Sequence, residues 1–99
     1  VRLFCAAGMS TSLIVRRMEA SAAERGLELD VRAYTITELD QHAGEAQVVL
    51  VGPQVRYRLK DIHKLCDPLG IPVGVIPMRS YGMMDGDAIL DLALETLGA

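Results

Sequence analysis

Leu3-Phe4-Cys5-Ala6-Ala7-Gly8-Met9-Ser10-Thr11-Ser12-Leu13 packs the end of a strand, a turn of small residues and the start of a helix into one short stretch. Residues 1–5 read as a short strand. Residues 9–25 read as a helix, because Leu13 or Ile14, then Met18 and Ala22, recur at helical spacing. Arg16, Arg17, Glu19 and Glu24 fall away from that stripe, and Gly26 stands where a helix stop is expected.

The same alternation of periods continues along the chain. In residues 27–34, Leu27, Leu29, Val31 and Ala33 face one way, while Glu28, Asp30, Arg32 and Tyr34 face the other. That pattern predicts a half-exposed strand at a sheet edge. Residues 35–44 suit a short helix or turn. Residues 48–51 are a continuous apolar run, as in a central strand covered on both faces. After Gly52-Pro53, the residues Val55, Leu59, Ile62, Cys66 and Leu69 mark one face of a further helix, ended by Pro68 and Gly70. Residues 73–76 supply a last strand. Asp85 or Asp87 then caps a final helix whose buried side is Ile89, Leu90, Ala93, Leu94 and Leu97. Strands alternating with helices imply right-handed crossovers, hence an α/β fold with a single open four-stranded parallel sheet and helices on both faces.

Composition narrows the function classes. The chain has 99 residues, 51% hydrophobic, with a formal net charge of -3, which suits one domain spanning residues 1–99. There is no basic run and the aromatic content is only one Phe and three Tyr, so no nucleic acid partner is expected. No apolar stretch reaches the roughly 20 residues of a membrane span, so no direct membrane insertion is expected. No signal peptide is recognisable, and the first residue is Val rather than Met, as in a chain trimmed at its front. These features together predict a cytoplasmic location. The two cysteines are far apart and no disulfide is expected between them. Cys66 falls in an apolar helical stripe and reads as a buried structural thiol. His42 and His63 are isolated, read as surface residues, and no Cys/His spacing suggests a metal.

In an open parallel sheet, ligands bind beyond the carboxyl ends of the strands, where the strand order reverses. The first loop, Cys5 to Ser12, is therefore the candidate site. Ala6, Ala7 and Gly8 are small enough for backbone N–H groups to turn inward around an anion, and Gly8 tolerates a positive φ. The helix entered through Met9 and Ser10 directs its positive end at the same point, and Ser10, Thr11 and Ser12 add hydroxyls. A cysteine in such a place is expected to ionise more readily than free Cys, whose pKa is about 8.5. The residues alone leave two readings open: a nucleophile in a phosphate-sized cradle, or a small buried hydrophobe beside ordinary helix-capping residues. The loop is not a Walker motif. Cysteine phosphatases with a similar cradle place a phosphate-clamping Arg where this chain has Thr11, and Arg16 and Arg17 lie inside the helix. Stabilisation would then rest on backbone N–H groups. With no evident acid for a leaving group, a site that takes and passes on phosphate fits better than one that hydrolyses.

The stretch from Leu3 to Leu13 closely resembles the active-site segment of lactose/cellobiose-type IIB proteins of the phosphoenolpyruvate-dependent sugar phosphotransferase system, a type that includes chitobiose transporters. Gly52-Pro53-Gln54-Val55-Arg56-Tyr57 resembles the loop after the third strand of that family, and Tyr81-Gly82-Met83-Met84-Asp85-Gly86 the segment after the fourth. Some relatives differ at Ala6 or Met83. The resemblance runs in order along essentially the whole chain. It implies a sheet in the order 2-1-3-4. It implies that Cys5 accepts a phosphoryl group from a phosphohistidine on a IIA protein and passes it to a sugar held by the membrane permease IIC. It implies no cofactor and no metal, the phosphoryl group deriving ultimately from phosphoenolpyruvate. Gln54 and Tyr81 would border Cys5 and donate to the phosphoryl group or position the IIA histidine, unless Gly52-Pro53 simply turns the chain and Tyr81 packs on the loop. Asp85 suits a helix cap better than a catalytic acid, since a carboxylate would repel an incoming phosphoryl group. Met9 and Leu13 would contribute to an apolar docking surface for IIA and IIC, unless Leu13 belongs to the core.

Three other readings compete. A low-molecular-weight phosphatase or arsenate reductase shares the thiolate and cradle, but Thr11 argues against it. A flavodoxin-like or receiver-like domain would use the same crevice, yet only Phe4 is aromatic near the loop and the receiver's acidic cluster is absent. A IIB domain of another sugar class would differ in glycine spacing. The choice of sugar, which lies mainly with IIC, is not legible in this chain.

Overall fold

The computed structural model describes residues 1–6 and 9–98, and within them every side chain except those of Met9 and Ser10. The elements run β1 (Arg2–Cys5), α1 (Met9–Glu24), β2 (Arg32–Thr35), α2 (Leu39–His42), β3 (Val49–Val51), α3 (Leu59–Cys66), β4 (Val73–Val75), α4 (Met78–Gly82) and α5 (Gly86–Leu97). The four strands form one sheet in the order β2-β1-β3-β4, all neighbours parallel. The strand order and class are those expected from the sequence.

Alternation along the central strands divides the core in two. Leu3, Cys5, Val48 and Leu50 point to one face, where Ile14 and Met18 of α1 and Ile89 and Ala93 of α5 cover them. Phe4, Val49 and Val51 point to the other, against Leu39 of α2, Ile62 and Cys66 of α3, and Val55. β1 and β3 are therefore covered on both faces, which is why they read as continuous apolar runs. Both cysteines are buried and unbridged, Cys66 inside the α3 core.

Helix α1 ends by a double turn of hydrogen bonds. The Gly26 N–H donates to the Ala23 carbonyl (3.1 Å) and the Leu27 N–H to that of Ala22 (2.8 Å), with Gly26 at φ 70°. This is the Schellman arrangement, and it needs a residue that accepts positive φ. Of the two candidates for the buried stripe, Ile14 is fully buried and Leu13 half-buried.

Four expectations change. The second strand does not begin at Leu27. Arg32 pairs with Arg2, so the preceding residues have no ladder partner, and Leu27 belongs to the helix terminus and is exposed. Leu29, Val31 and Ala33 nevertheless keep one face, packing on the α1 side, and β2 is an edge strand. The helix over 55–69 is one α-helical piece between two 3₁₀ pieces, Pro53–Arg58 and Asp67–Leu69. A 3₁₀ turn holds about 3 residues rather than 3.6, so the stripe drifts and Leu69 emerges into solvent. Ile71 takes the buried place instead, its N–H bonded to the Cys66 carbonyl (3.1 Å). Leu97, in the last turn of α5, is also exposed, and α4 was not anticipated.

α5 is capped by Asp85, whose carboxylate accepts from the Ala88 N–H (3.1 Å). Its first residue, Gly86, lies directly on α1: an added Cβ would sit 2.5 Å from Arg17 Cβ and 2.6 Å from its carbonyl carbon. Gly86→Ala must push the two helices apart, so it is expected to cost about 1–3 kcal/mol. Thermal unfolding of that variant should show a midpoint lowered by about 4–8 °C per kcal/mol, the range for a domain of this size. Gly82→Ala is the control, because nothing lies within 4 Å of the added methyl and its φ is not positive.

Candidate active site

β1 is the central strand at which the order reverses, and Cys5 is its last residue. Its neighbour on one side is Thr35 of β2. On the other, the β1–β3 ladder ends at Phe4 and Val51, and the Gly52 N–H donates to the Phe4 carbonyl (2.9 Å). That bond lays the Gly52 backbone beside the Cys5 side chain. A Cβ on Gly52 would be 3.0 Å from Cys5 Sγ and 3.4 Å from its Cβ. Since Gly52 has φ −62° and ψ 145°, which any residue adopts, close approach alone requires glycine here. The sequence marked Gly52 only as a turn breaker.

Tyr81 joins it from the segment after β4. α4 begins after Pro77, its first turn secured by the Tyr81 N–H bonding to the Pro77 carbonyl (3.0 Å). The Tyr81 side chain is buried with Leu3, Cys5 and Ile14, and its hydroxyl hydrogen-bonds the Cys5 sulfur. Of Gln54 and Tyr81, only Tyr81 reaches the thiol. Gln54 sits exposed in the first turn of Pro53–Arg58, and Gly52-Pro53 turns the chain. Asp85 is the helix cap already described.

Of the anticipated cradle, Ala6 is exposed in a bend directly after Cys5, Thr11 is buried and Ser12 exposed. Ala7 and Gly8 lie outside the described residues. Met9 and Ser10 are placed only as the first residues of α1. Arg17 does not turn toward the loop. Its guanidinium donates to the carbonyls of Met83 (3.4 Å) and Met84 (3.1 Å), tying α1 to the segment that carries Tyr81. Met84, at φ 51°, is the one non-glycine residue with positive φ among the described residues. No sequence signal marked Arg17 for this bracing role.

The protonation of Cys5 differs from the expectation. Burial, the largest effect, pushes its thiol above the ordinary range, because a thiolate loses solvation there. The Tyr81 hydroxyl and the Gly52 N–H act in the opposite direction by favouring the anion. The resting group is thus a neutral thiol with the Tyr81 hydroxyl and the Gly52 backbone already beside its sulfur. Burial also raises Cys66, with the Asp67 charge adding to it.

The chain matches the family described as PTS system, Lactose/Cellobiose specific IIB subunit over residues 1–92. It belongs to that family. It is 41% identical over 98 residues to the galactose-specific EIIB component of Lactococcus lactis subsp. cremoris, covering 94% of this chain and 91% of the relative. The cellobiose-specific EIIB component of Lactococcus lactis subsp. lactis is 40% identical with the same coverage. The oligo-beta-mannoside-specific EIIB component of Bacillus subtilis is 35% identical, covering 98% and 94%. Among solved structures, the fold is like that of the lactose-specific IIB domain from Streptococcus pneumoniae (TM-score 0.84, 15% identity, 96% and 93% covered). It is also like that of the cellobiose-specific IIB component from Borrelia burgdorferi (TM-score 0.76, 31% identity, 99% and 92% covered). The chain is thus a IIB component of a sugar phosphotransferase system, and among the described residues no helix is long and apolar enough to cross a membrane.

The opposing effects on Cys5 can be measured. Thiolate absorbance followed against pH, with Cys5→Ser as the blank, should show Cys5 ionising above the ordinary cysteine range. Tyr81→Phe removes a donor to the anion, so it should move that transition to still higher pH; a transition moving down would refute the assigned bond. Both folded-state thiols have raised pKa values. Their contribution to stability is therefore whole below the unfolded value of about 8.5 and is lost as pH rises through the folded values.

Proposed function

We propose that Cys5 is the phosphoryl carrier of this IIB component. It accepts the group from the phosphohistidine of a IIA protein and passes it to a sugar bound by the membrane permease IIC, on the cytoplasmic side. The observation that carries this reading is the placement of Cys5. It ends the central strand at the sheet's topological switch point, with the Gly52 backbone and the Tyr81 hydroxyl both beside its sulfur.

In the first step the Cys5 sulfur attacks phosphorus in line, an S–P bond forms and the N–P bond to the histidine breaks. The departing imidazole nitrogen gains the electron pair and takes the proton of the resting thiol. That proton balance suits a cysteine kept neutral by burial, since the leaving group is itself the base. In the second step a sugar hydroxyl attacks phosphorus, the S–P bond breaks, and the hydroxyl proton returns to the sulfur. Backbone N–H groups of residues 6–12 would hold the equatorial phosphoryl oxygens, with the hydroxyls of Ser10, Thr11 and Ser12 beside them. The positive end of α1, a helix of 16 residues, favours the same charge. Tyr81 would follow the sulfur through both steps as a hydroxyl donor. Gln54, exposed in the turn after Gly52, would meet the histidine of IIA rather than the sulfur.

A low-molecular-weight phosphatase would need an Arg at the Thr11 position to clamp its substrate. Thr11 is buried, and the guanidinium of Arg17 is engaged by the carbonyls of Met83 and Met84. The carboxylate of Asp85, the acidic residue that follows this segment, accepts from the Ala88 N–H as the cap of α5. A thiophosphate held this way keeps its group for transfer.

The deciding experiment incubates the protein with phosphoenolpyruvate, the general phosphotransferase components and a cognate IIA, and locates the label by mass spectrometry. Phosphate on Cys5 is expected; phosphate on His42 or His63, or no label, would overturn the reading. Cys5→Ser should abolish sugar phosphorylation while its circular dichroism stays unchanged. Tyr81→Phe should slow transfer by about 10- to 100-fold, somewhat less than the loss of a full oxyanion donor.

A further inference from the structure

We infer that Arg17 is a positioning residue for phosphoryl transfer: by holding the turn after α4 against α1, it keeps the Tyr81 hydroxyl on the Cys5 sulfur. This rests on the carrier reading above and adds a residue that acts on the chemistry without touching the reacting atoms.

The turn that follows Tyr81 is disfavoured by its own sequence. α4 ends with the Asp85 N–H bonded to the Ser80 carbonyl (3.0 Å) and the Met84 N–H bonded to the Tyr81 carbonyl (3.0 Å). These are the two bonds of a Schellman ending, which needs a positive φ at residue 84. Glycine usually fills that position, because a Cβ resists the left-handed conformation. Gly26 fills the matching place after α1 and Gly98 the one after α5, whereas here the residue is Met84, at φ 51°. A turn of this kind has to be held from outside.

Arg17 holds it. Its guanidinium donates to the carbonyls of Met84 (3.1 Å) and Met83 (3.4 Å), the two residues at the turn itself. Beside that contact an open cleft of about 350 Å³ separates residues 83–87 from Ala20, Ser21 and Glu24 of α1. Met83 is 60% exposed, so side-chain packing secures little of the turn. Glu24, Asp85 and Asp87 line the same cleft, and removing Arg17 leaves these like charges uncompensated. Two residues further on, Gly86 seats on the Arg17 backbone. Residue 17 thus fixes the segment at two points.

The path from Arg17 to the sulfur has three links. The guanidinium binds the Met84 carbonyl, the Met84 N–H binds the Tyr81 carbonyl, and the Tyr81 hydroxyl binds the Cys5 sulfur. Without the first link, Met84 is free to leave the left-handed region. The bond to the Tyr81 carbonyl then goes, and the ring can shift. A hydrogen bond weakens steeply with distance and angle, so a small shift removes the donor. Both transfer steps use the same sulfur. Arg17 therefore acts on both, and on the affinity for neither partner.

The test uses the full chain. Transfer from phosphorylated cognate IIA, and transfer onward to sugar in membranes carrying the cognate IIC, are measured separately. Arg17→Met should lower the saturating rate of both steps by about tenfold, with the KM for phosphorylated IIA unchanged. Arg17→Lys keeps a cation and a donor and should recover part of the rate. Arg17→Met/Tyr81→Phe should be no slower than Tyr81→Phe alone, because a residue acting through Tyr81 then has nothing left to act on. In Arg17→Met the thiolate absorbance of Cys5 should appear at higher pH, as in Tyr81→Phe. Arg16→Met, which removes a neighbouring exposed charge from α1, should not move it. That readout involves no transfer, so it supports the positioning role even if the phosphate is found on another residue, and the two readings fail separately. A raised KM at an unchanged saturating rate would overturn the inference, since Arg17 would then touch the partner. So would further slowing in the double variant. So would a lowered thermal midpoint with Cys5 ionisation unmoved, since the role would then be structural only.

Discussion

The contact between the Gly52 backbone and the Cys5 sulfur is the constraint on which the site depends. It exists because β1 lies inside the sheet, paired on both edges and covered on both faces. Parallel pairing with β3 stops at Val51, and one further backbone bond carries Gly52 alongside the thiol. Nothing larger than glycine fits without moving the sulfur or the strand. The same register sends Leu3 and Cys5 toward α1 and α5, the face on which Tyr81 is buried. A single strand position therefore fixes the cysteine, its backbone neighbour and its hydroxyl partner at once.

Burial and donation pull the cysteine in opposite directions, and the balance bears on what the site can do. Desolvation keeps the resting thiol neutral, which guards a buried sulfur against adventitious oxidation and alkylation. The donors stay in place for the moment when negative charge arrives. In the proposed reaction that charge comes with the phosphoryl group, and the departing histidine removes the proton. The bracing by Arg17 and the tight seat of Gly86 hold the Tyr81 segment against α1, so the donor geometry does not have to be assembled during transfer.

Much of this was legible in the chain. Strand and helix alternated by period, Met18 and Ala22 with Leu13 or Ile14 marked the buried side of α1, and Gly26 marked its stop. Where the reading failed, the cause was local. The alternation from Leu27 was real, but β1 offers a partner only from Arg32 onward. Leu69 fits a helical stripe by count, yet Asp67–Leu69 winds as a 3₁₀ turn and rotates it outward. α4 escaped notice because five residues give too short a window for any period to show. At the site, Cys5 and Thr11 were readable by type and spacing. The proximity of Gly52 and Tyr81 to the thiol could only be suspected from their positions after sheet strands.

The sequence by itself determined the alternation of elements, the loop that follows the first strand, and, through its resemblance, the family and strand order. Those follow from hydrophobic period and turn chemistry, which act between residues close along the chain. The tertiary structure alone decided that Tyr81 and not Gln54 reaches the sulfur, that Arg17 braces the segment carrying it, and that the thiol rests protonated. Each of these depends on how far solvent is excluded and which distant segments meet at one strand end. Such properties arise only when the sheet and its two helical layers close around Cys5.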